Sequence, residues 1–286
     1  MKVVLFCGGL GMRLRDYAEN VPKPMVPIGY RPIIWHIMKY YAHFGHTDFI
    51  LCLGYRGDLI KQYFLNYEEC VSNDFVLTEG GRRRVLVNSD IEDWRITFVD
   101  TGLNANIGER LLAVRPYLDG EAVFLANYAD GLTDLCLPDQ LEHFRHLDRV
   151  ASFLSVRPNL SYHVLTADER GVVNSFQDIV QSGLRINGGY FLFKQEIFSY
   201  LRPGEELVAT PFQRLIAEQQ LTAYDYDGFW MAMDTAKDKK RLEDLHDSND
   251  PPWVVWRNAP RLRTGPVPSS AKIYTPDGRK AEVASA

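Results

Sequence analysis

At 286 residues, 46% hydrophobic and 24% charged, the chain can bury a sizeable core and has the composition of an ordinary globular protein. Its net charge of −5 argues against the strongly basic footprint of a nucleic-acid binder, yet leaves room for the local basic site that a small anionic ligand needs. No apolar run approaches ~18 residues, so no helical membrane span is expected. Glycines cut the opening run MKVVLFCGGLG short of a secretory signal, and the cytoplasm is the expected compartment. The four cysteines form no CxxC pair; Cys7 and Cys52 lie inside apolar runs and read as buried free thiols.

In chain order, Lys2–Cys7 reads as a short buried strand that stops at Gly8-Gly9. Pro32–Phe44 carries apolar residues at helical spacing behind a first-turn proline. Asp48–Leu53 reads as a second buried strand, Asp58–Tyr67 as a helix, and Arg95–Val99 and Ala122–Ala126 as further core strands. This alternation predicts an α/β domain with a mainly parallel sheet. After residue 150 the strand-like stretches Ala151–Arg157, Gly171–Phe176 and Tyr190–Phe193, separated by polar turns, are expected to form a β-rich lid or half-site over the nucleotide domain. Helices near Pro211–Glu218 and Thr235–Leu245 close the fold, so that residues 1–257 form one domain. From Asn258 the chain is rich in Pro, Gly, Ser and charge, and reads as a flexible tail without a core.

The first chemical signal is the run Gly8-Gly9-Leu10-Gly11-Met12-Arg13 directly after the first strand. Closely spaced glycines let backbone N–H groups cradle phosphate oxygens, although a tight strand-to-helix turn looks the same. Arg13 inside the loop and Lys23, fixed between Pro22 and Pro24, favour the phosphate reading. The loop lacks the third glycine of a dinucleotide fingerprint and the Gly-Lys-Ser/Thr of a P-loop. Two acids fit a metal: Asp130, ending the strand-like AVFLANYAD, and Asp234 in GFWMAMDT. Hard Mg²⁺ is commonly held by one or two carboxylates with phosphate oxygens and water. The competing readings are a turn carboxylate for Asp130 and a helix N-cap for Asp234.

Together CGGLGMRLRDYAENVPKPM, FVDTGLNANIGERL, NYADG, INGGYF and GFWMAMDTAKDKKRLEDL resemble the bacterial glucose-1-phosphate cytidylyltransferases, within the sugar-phosphate nucleotidyltransferases. The resemblance covers roughly residues 1–257 in matching order. It implies a Rossmann-like nucleotidyltransferase fold, with helices on both faces of the sheet, and a homo-oligomer. It implies transfer of CMP from CTP to a small phosphorylated acceptor, with Mg²⁺ as cofactor. By motif, Gly8, Gly9, Gly11, Arg13, Lys23, Thr101, Gly102 and Arg110 match the nucleotide site, and Asp130 and Asp234 the metal pair; Arg13, Lys23, Asp130 and Asp234 would carry catalysis. Tyr128, Asp178, Asn187 and Trp230 are the candidates for the acceptor.

The acceptor side departs from the family pattern. Where relatives carry Glu-Lys-Pro, with the lysine on the acceptor phosphate, this chain reads Asp178-Ile179-Val180, and the approach loop reads Arg157-Pro158-Asn159-Leu160-Ser161-Tyr162-His163. Arg157 or Arg185 would then have to supply the missing charge, or the acceptor is a non-sugar phosphate or phosphonate. A non-catalytic nucleotide-binding paralogue and a dinucleotide oxidoreductase are the readings from other classes. Retention of Gly11, Arg13, Lys23, Asp130 and Asp234 together opposes the first, and the missing third glycine opposes the second. Truncation after Arg257 is expected to leave turnover unchanged, because the segment removed has no apolar periodicity. Steady-state kinetics on the shortened chain check this, and lost activity in a folded protein would show that the tail reaches the site.

Overall fold

The computed structural model describes residues 1–9, 21–67, 75–86, 90–158, 162–248 and 250–258. The chain lays down β1 (Val3–Phe6), a short hairpin of β2 (Pro27–Ile28) and β3 (Arg31–Pro32), α1 (Ile33–His43), β4 (Asp48–Leu53) and α2 (Gly57–Leu65). An outlying hairpin of β5 (Phe75–Thr78) and β6 (Arg83–Leu86) precedes β7 (Arg95–Asp100) and α3 (Ile107–Val114). Then come β8 (Val123–Tyr128), β9 (Gly131–Thr133), α4 (Leu137–Leu147), β10 (Ala151–Val156), and a second hairpin, β11 (His163–Ala167) with β12 (Val173–Asp178). β13 (Ile186–Asn187), β14 (Phe191–Lys194), α5 (Ile197–Tyr200), α6 (Thr210–Ala217), β15 (Leu221–Tyr226), β16 (Trp230–Ala232) and α7 (Ala236–Asp247) complete the order.

Eight strands form the central sheet, in the order β13-β10-β14-β8-β1-β4-β7, with β15 on the other side of β10. β8, β1, β4 and β7 are mutually parallel. β14 runs antiparallel to β8, and β10 antiparallel to β14, so β10 and β15 again share the direction of β1. Only the β13/β14 line is reversed, and the expected mainly parallel sheet is present. β13 and β14 are two halves of one line, interrupted at Gly188-Gly189, where Gly189 takes φ +78°.

Successive strand residues point to opposite faces, and both faces are apolar. Val3, Leu5, Phe49, Leu51 and Leu53 join one core with α1, α4 and α7. Val4, Phe6, Ile50 and Cys52 join another with Leu111 and Val114 of α3 and with residues of α5 and α6. Burial on both sides explains the unbroken apolar text of β1 and β4, because such strands cannot alternate. Cys7 and Cys52 are buried free thiols, and burial pushes both well above the usual thiol range.

The stretch expected to be a lid divides in two. β10, β13, β14 and β15 extend the central sheet, since β10 is apolar and buried along almost its whole length. Only the hairpin β11–β12 pairs outside it, with Leu165 and Phe176 more than half exposed. α3 was not among the expected elements; its start is marked by a reciprocal capping box, with the Asn106 side chain accepting from the Glu109 N–H and the Glu109 carboxylate from the Asn106 N–H, both at 2.9 Å. No helix among the described residues is long and apolar enough to cross a membrane.

Trp253 ties the last described segment to α1. It is 1% exposed, and its indole N–H donates to His36 Nδ1 at 3.3 Å, while His36 Nε2 lies 3.1 Å from the Ile28 carbonyl. His36 is therefore the neutral tautomer protonated on Nε2. Burial pushes its pKa down to about 4, with His246 and Arg31 adding to the depression. Trp253→Ala is expected to cost roughly 3–5 kcal/mol of stability, the scale of deleting a buried tryptophan, and denaturant unfolding measures it. Because the folded value lies below the free value of 6.5, the unfolded chain binds more protons between the two. Stability present above pH 6.5 is then lost as pH falls toward about 4, and replacing His36 by Gln should flatten that slope.

Candidate active site

The site lies at the carboxyl ends of the parallel strands. From β1 the chain runs outward through β4 to β7 and then returns to β8 on the other side of β1, which leaves a crevice at that reversal. The crevice encloses a cavity of about 320 Å³ whose walls include Gly8, Gly9, Lys23, Arg110, Tyr128 and Asp130. Residues far apart in sequence are thus gathered by the sheet order.

Lys23 stands on a 3-10 turn, Lys23–Met25, in which the Met25 N–H donates to the Pro22 carbonyl at 2.8 Å. Pro22 and Pro24 are buried on either side and hold the backbone that carries the ammonium. Asp130 follows β8, and Asp234 follows β16. β16 pairs antiparallel with β9 in a register that sets Ala232 opposite Gly131, and the Met233 N–H donates to the Asp130 carbonyl at 2.9 Å. That small ladder lays the two aspartates side by side. The Lys23 Nζ then lies 2.6 Å from Asp130 Oδ2 and 2.7 Å from Asp234 Oδ1. Burial alone would lower the Lys23 pKa, but the two carboxylates outweigh it and raise the ammonium above its ordinary value. The helix N-cap considered for Asp234 falls instead to Thr235, which forms a capping box with Asp238 at the start of α7.

Arg110 is 3% exposed and binds no carboxylate among the described residues. Its guanidinium donates to the Leu53 and Gly8 carbonyls, both at 3.1 Å, and to Thr101 Oγ1 at 2.7 Å. A Cβ on Gly8 would lie 2.0 Å from the Arg110 Nη1, so only glycine lets the arginine pass beneath the loop. Burial lowers its pKa, yet a guanidinium stays charged in proteins, and its partners among the described residues are neutral. Thr101 supports this arginine and donates to the Leu53 carbonyl at 2.7 Å. Gly102 takes φ +95°, with its N–H on the Asp100 carboxylate. Neither residue is among the described lining of the cavity.

The acceptor candidates form a second group. Asn187 Nδ2 donates to the Tyr128 hydroxyl at 3.3 Å, and Trp230 Nε1 to the Gly188 carbonyl at 2.9 Å. Tyr128 lines the cavity, so Asn187 reaches it through one contact. Asp178 caps the following turn, accepting from the Val180 N–H at 2.9 Å. Arg157 and Arg185 both bind Asp227, at 2.9 Å and 2.7 Å. Gly11 and Arg13 lie outside the described residues, as do Asn159, Leu160 and Ser161.

The sequence profile of the nucleotidyl transferase family matches residues 2–238. The chain belongs to that family. This nucleotidyl transferase is 36% identical over 258 residues to the glucose-1-phosphate cytidylyltransferase of Salmonella typhi, covering 90% of this chain and 100% of the relative. The enzyme of the same name from Salmonella typhimurium gives the same identity and coverage. The crystal structure of HddC from Yersinia pseudotuberculosis superposes with a TM-score of 0.60 at 19% identity, covering 86% of this chain and 99% of that one, a likeness of fold. Nucleotidyl transferases of this family generally use a divalent metal. The site passes a chemical test for one: two hard carboxylates already share a single cationic group, the Lys23 ammonium, within 2.7 Å. Among the described residues no cluster of three or more His, Cys, Asp or Glu could hold a metal, so phosphate oxygens and water would complete the shell.

Sequence reasoning did not pick out Glu206, which also lines the cavity. Nothing local marks it, because the segment that carries it reaches the crevice only by packing against α3. Lys23→Ala and Asp130→Ala are each expected to cut turnover at least about a hundredfold, the scale of losing one preorganised electrostatic contact. Thr235→Ala should instead lower stability by about 1 kcal/mol, the usual cost of a lost cap, with turnover kept. Kinetics paired with thermal unfolding separate the two; a Lys23→Ala protein that is folded and turns over normally would sink the assignment.

Proposed function

We propose that this nucleotidyl transferase moves CMP from CTP onto the phosphate of a sugar 1-phosphate and releases pyrophosphate. The observation that carries the reading is the Lys23 ammonium held between Asp130 and Asp234 at the wall of a crevice built on the glycine loop. Support for cytidine comes from relatives named as glucose-1-phosphate cytidylyltransferases that this chain matches over their whole length.

The chemistry follows from charge. An acceptor phosphate oxygen attacks the α-phosphorus, the bond to the bridging oxygen breaks, and pyrophosphate leaves with that electron pair. A phosphate monoester has a second pKa of about 6, so the nucleophile is already mostly dianionic near pH 7 and no general base is required. The obstacle is the approach of two polyanions. Lys23 would neutralise and align phosphate oxygens, Arg110 donates to the Gly8 carbonyl at 3.1 Å, and Arg13 would add a charge from the loop. Mg²⁺ held by Asp130 and Asp234 would supply further neutralisation of phosphate charge when bound. Alignment of bound reactants can contribute about 7–11 kcal/mol of barrier reduction.

A second reading of the acceptor rests on one observation. Ile179 replaces the family's phosphate-binding lysine, and both nearby arginines are engaged with Asp227. Glucose 1-phosphate is therefore expected to be a poorer acceptor than some other phosphorylated compound. A pyrophosphate-release screen crossing four nucleoside triphosphates with a panel of acceptors tests both readings. CTP should give the fastest release; faster release with UTP or dTTP for every acceptor overturns the base. A kcat/KM for glucose 1-phosphate within roughly 10⁴–10⁸ M⁻¹s⁻¹, the ordinary enzyme range, overturns the second reading.

A further inference from the structure

Among the described residues two carboxylates line the crevice, Asp130 and Glu206, and only the first has a partner in the Lys23 group. Glu206 sits on the connection between α5 and α6, and that connection is firmly built. Its neighbour Glu205 is bound in a two-pronged pair by Arg214, with Nη1 donating to Oε2 at 2.6 Å. Asn106 Nδ2 donates to the Gly204 carbonyl at 3.2 Å, and Leu207 is fully buried. A Cβ on Gly108 would lie 2.2 Å from the Glu205 carbonyl oxygen, so the bare glycine in the first turn of α3 is what lets the connection press against the helix. The result is a carboxylate set at the start of α3. Its Oε2 accepts from the Ile107 N–H at 3.3 Å, and its Oε1 has no partner among the described residues.

A free carboxylate oxygen facing a triphosphate site repels phosphate, so the phosphates must run toward Lys23 and an uncharged part of the nucleotide must face Glu206. A carboxylate accepts and cannot donate, and its partner has to be a donor. A cytosine offers one such donor, its 4-amino group, and only when that base is the one bound. A ribose presents two adjacent hydroxyl donors whatever the base, and acidic side chains serve this purpose in other nucleotide folds. We propose that Glu206 is a specificity-determining residue that accepts a hydrogen bond from the ribose 2′-hydroxyl and selects ribonucleotides over deoxyribonucleotides. This rests on the nucleotide reading of the crevice, and not on the identity of the base.

The test compares CTP with dCTP for the wild-type enzyme, Glu206→Ala and the near-isosteric Glu206→Gln, with thermal unfolding to confirm folding. The wild type should prefer CTP at least about tenfold in kcat/KM. Glu206→Ala should lose roughly ten- to a hundredfold on CTP, mainly through KM, the scale of one charge-assisted hydrogen bond. Its kcat/KM for dCTP should stay within about threefold. Equal losses on both nucleotides would overturn the proposal and leave Glu206 as a pin for α3. An unchanged CTP-to-dCTP ratio, or a change confined to CTP against UTP, overturns it as well. If another nucleoside triphosphate proves to be the substrate, the cytidine reading fails alone. The same comparison with that nucleotide and its 2′-deoxy form still decides the role of Glu206.

Discussion

Two carboxylates brought together in a half-buried crevice repel each other, and each disfavours the charged form of the other unless a cation lies between them. In this fold the Lys23 ammonium is that cation, and its two partners, Asp130 and Asp234, lie 107 and 211 residues further along the chain. None of them is placed by its own local structure alone. The two-proline turn holds Lys23, the end of β8 holds Asp130, and the β9–β16 ladder carries Asp234 across to meet them. A change in the register of that ladder by one residue would turn the side chain of Asp234 to the other face. The strand order of the sheet is thus a precondition for the charge arrangement of the site.

Close approach to the backbone is the second constraint, and glycine permits it at both ends of the crevice. Gly8 lets Arg110 run beneath the loop and fix it through its carbonyl, and Gly108 lets the segment with Glu206 pack on the first turn of α3. α3 thereby links both ends of the crevice: one side of it anchors the glycine loop and the other receives a carboxylate. Its capping box fixes where the helix begins, and so where Ile107 and Arg110 point.

The legible parts of the sequence were those whose burial is total. β4 was expected at Asp48–Leu53 and occupies those residues, because a strand covered on both faces is written as an unbroken apolar run. α1 was nearly as clear, since Pro32 and a buried helical stripe mark its start and its inner face. α3 is harder to read, because an asparagine cap with a glutamate three positions on is a weak signal in a polar stretch. β9 and β16 are three residues each, too short for any period to register. Which strands after residue 150 stand apart was not legible, because whether a strand joins a sheet depends on its partners, and β10 finds partners on both edges. In the site, Lys23, Asp130 and Asp234 were nameable from motifs, whereas the support role of Thr101 and the presence of Glu206 arise only from packing.

The proposed acceptor side turns on how firmly Asp227 holds Arg157 and Arg185. The Arg157–Asp227 pair is 50% and 61% exposed, and such exposed pairs are worth about 0–1 kcal/mol. Arg185 is more deeply set, and it also donates to the Ser155 and Tyr226 carbonyls at 3.0 and 3.3 Å. Asp227 is therefore shared between a tethered guanidinium and a loosely held one. Releasing Arg157 would leave Asp227 still paired with Arg185, so no charge would be stranded by the move. A phosphate dianion nearby would bind a guanidinium through two parallel hydrogen bonds, which a lysine at position 179 could not offer. An acceptor cation recruited in this way would be mobile rather than preset, and its affinity for phosphate would be reduced by whatever holds it to Asp227. A borrowed arginine in place of a dedicated lysine would be the physical ground for the proposed alternative, an acceptor other than glucose 1-phosphate.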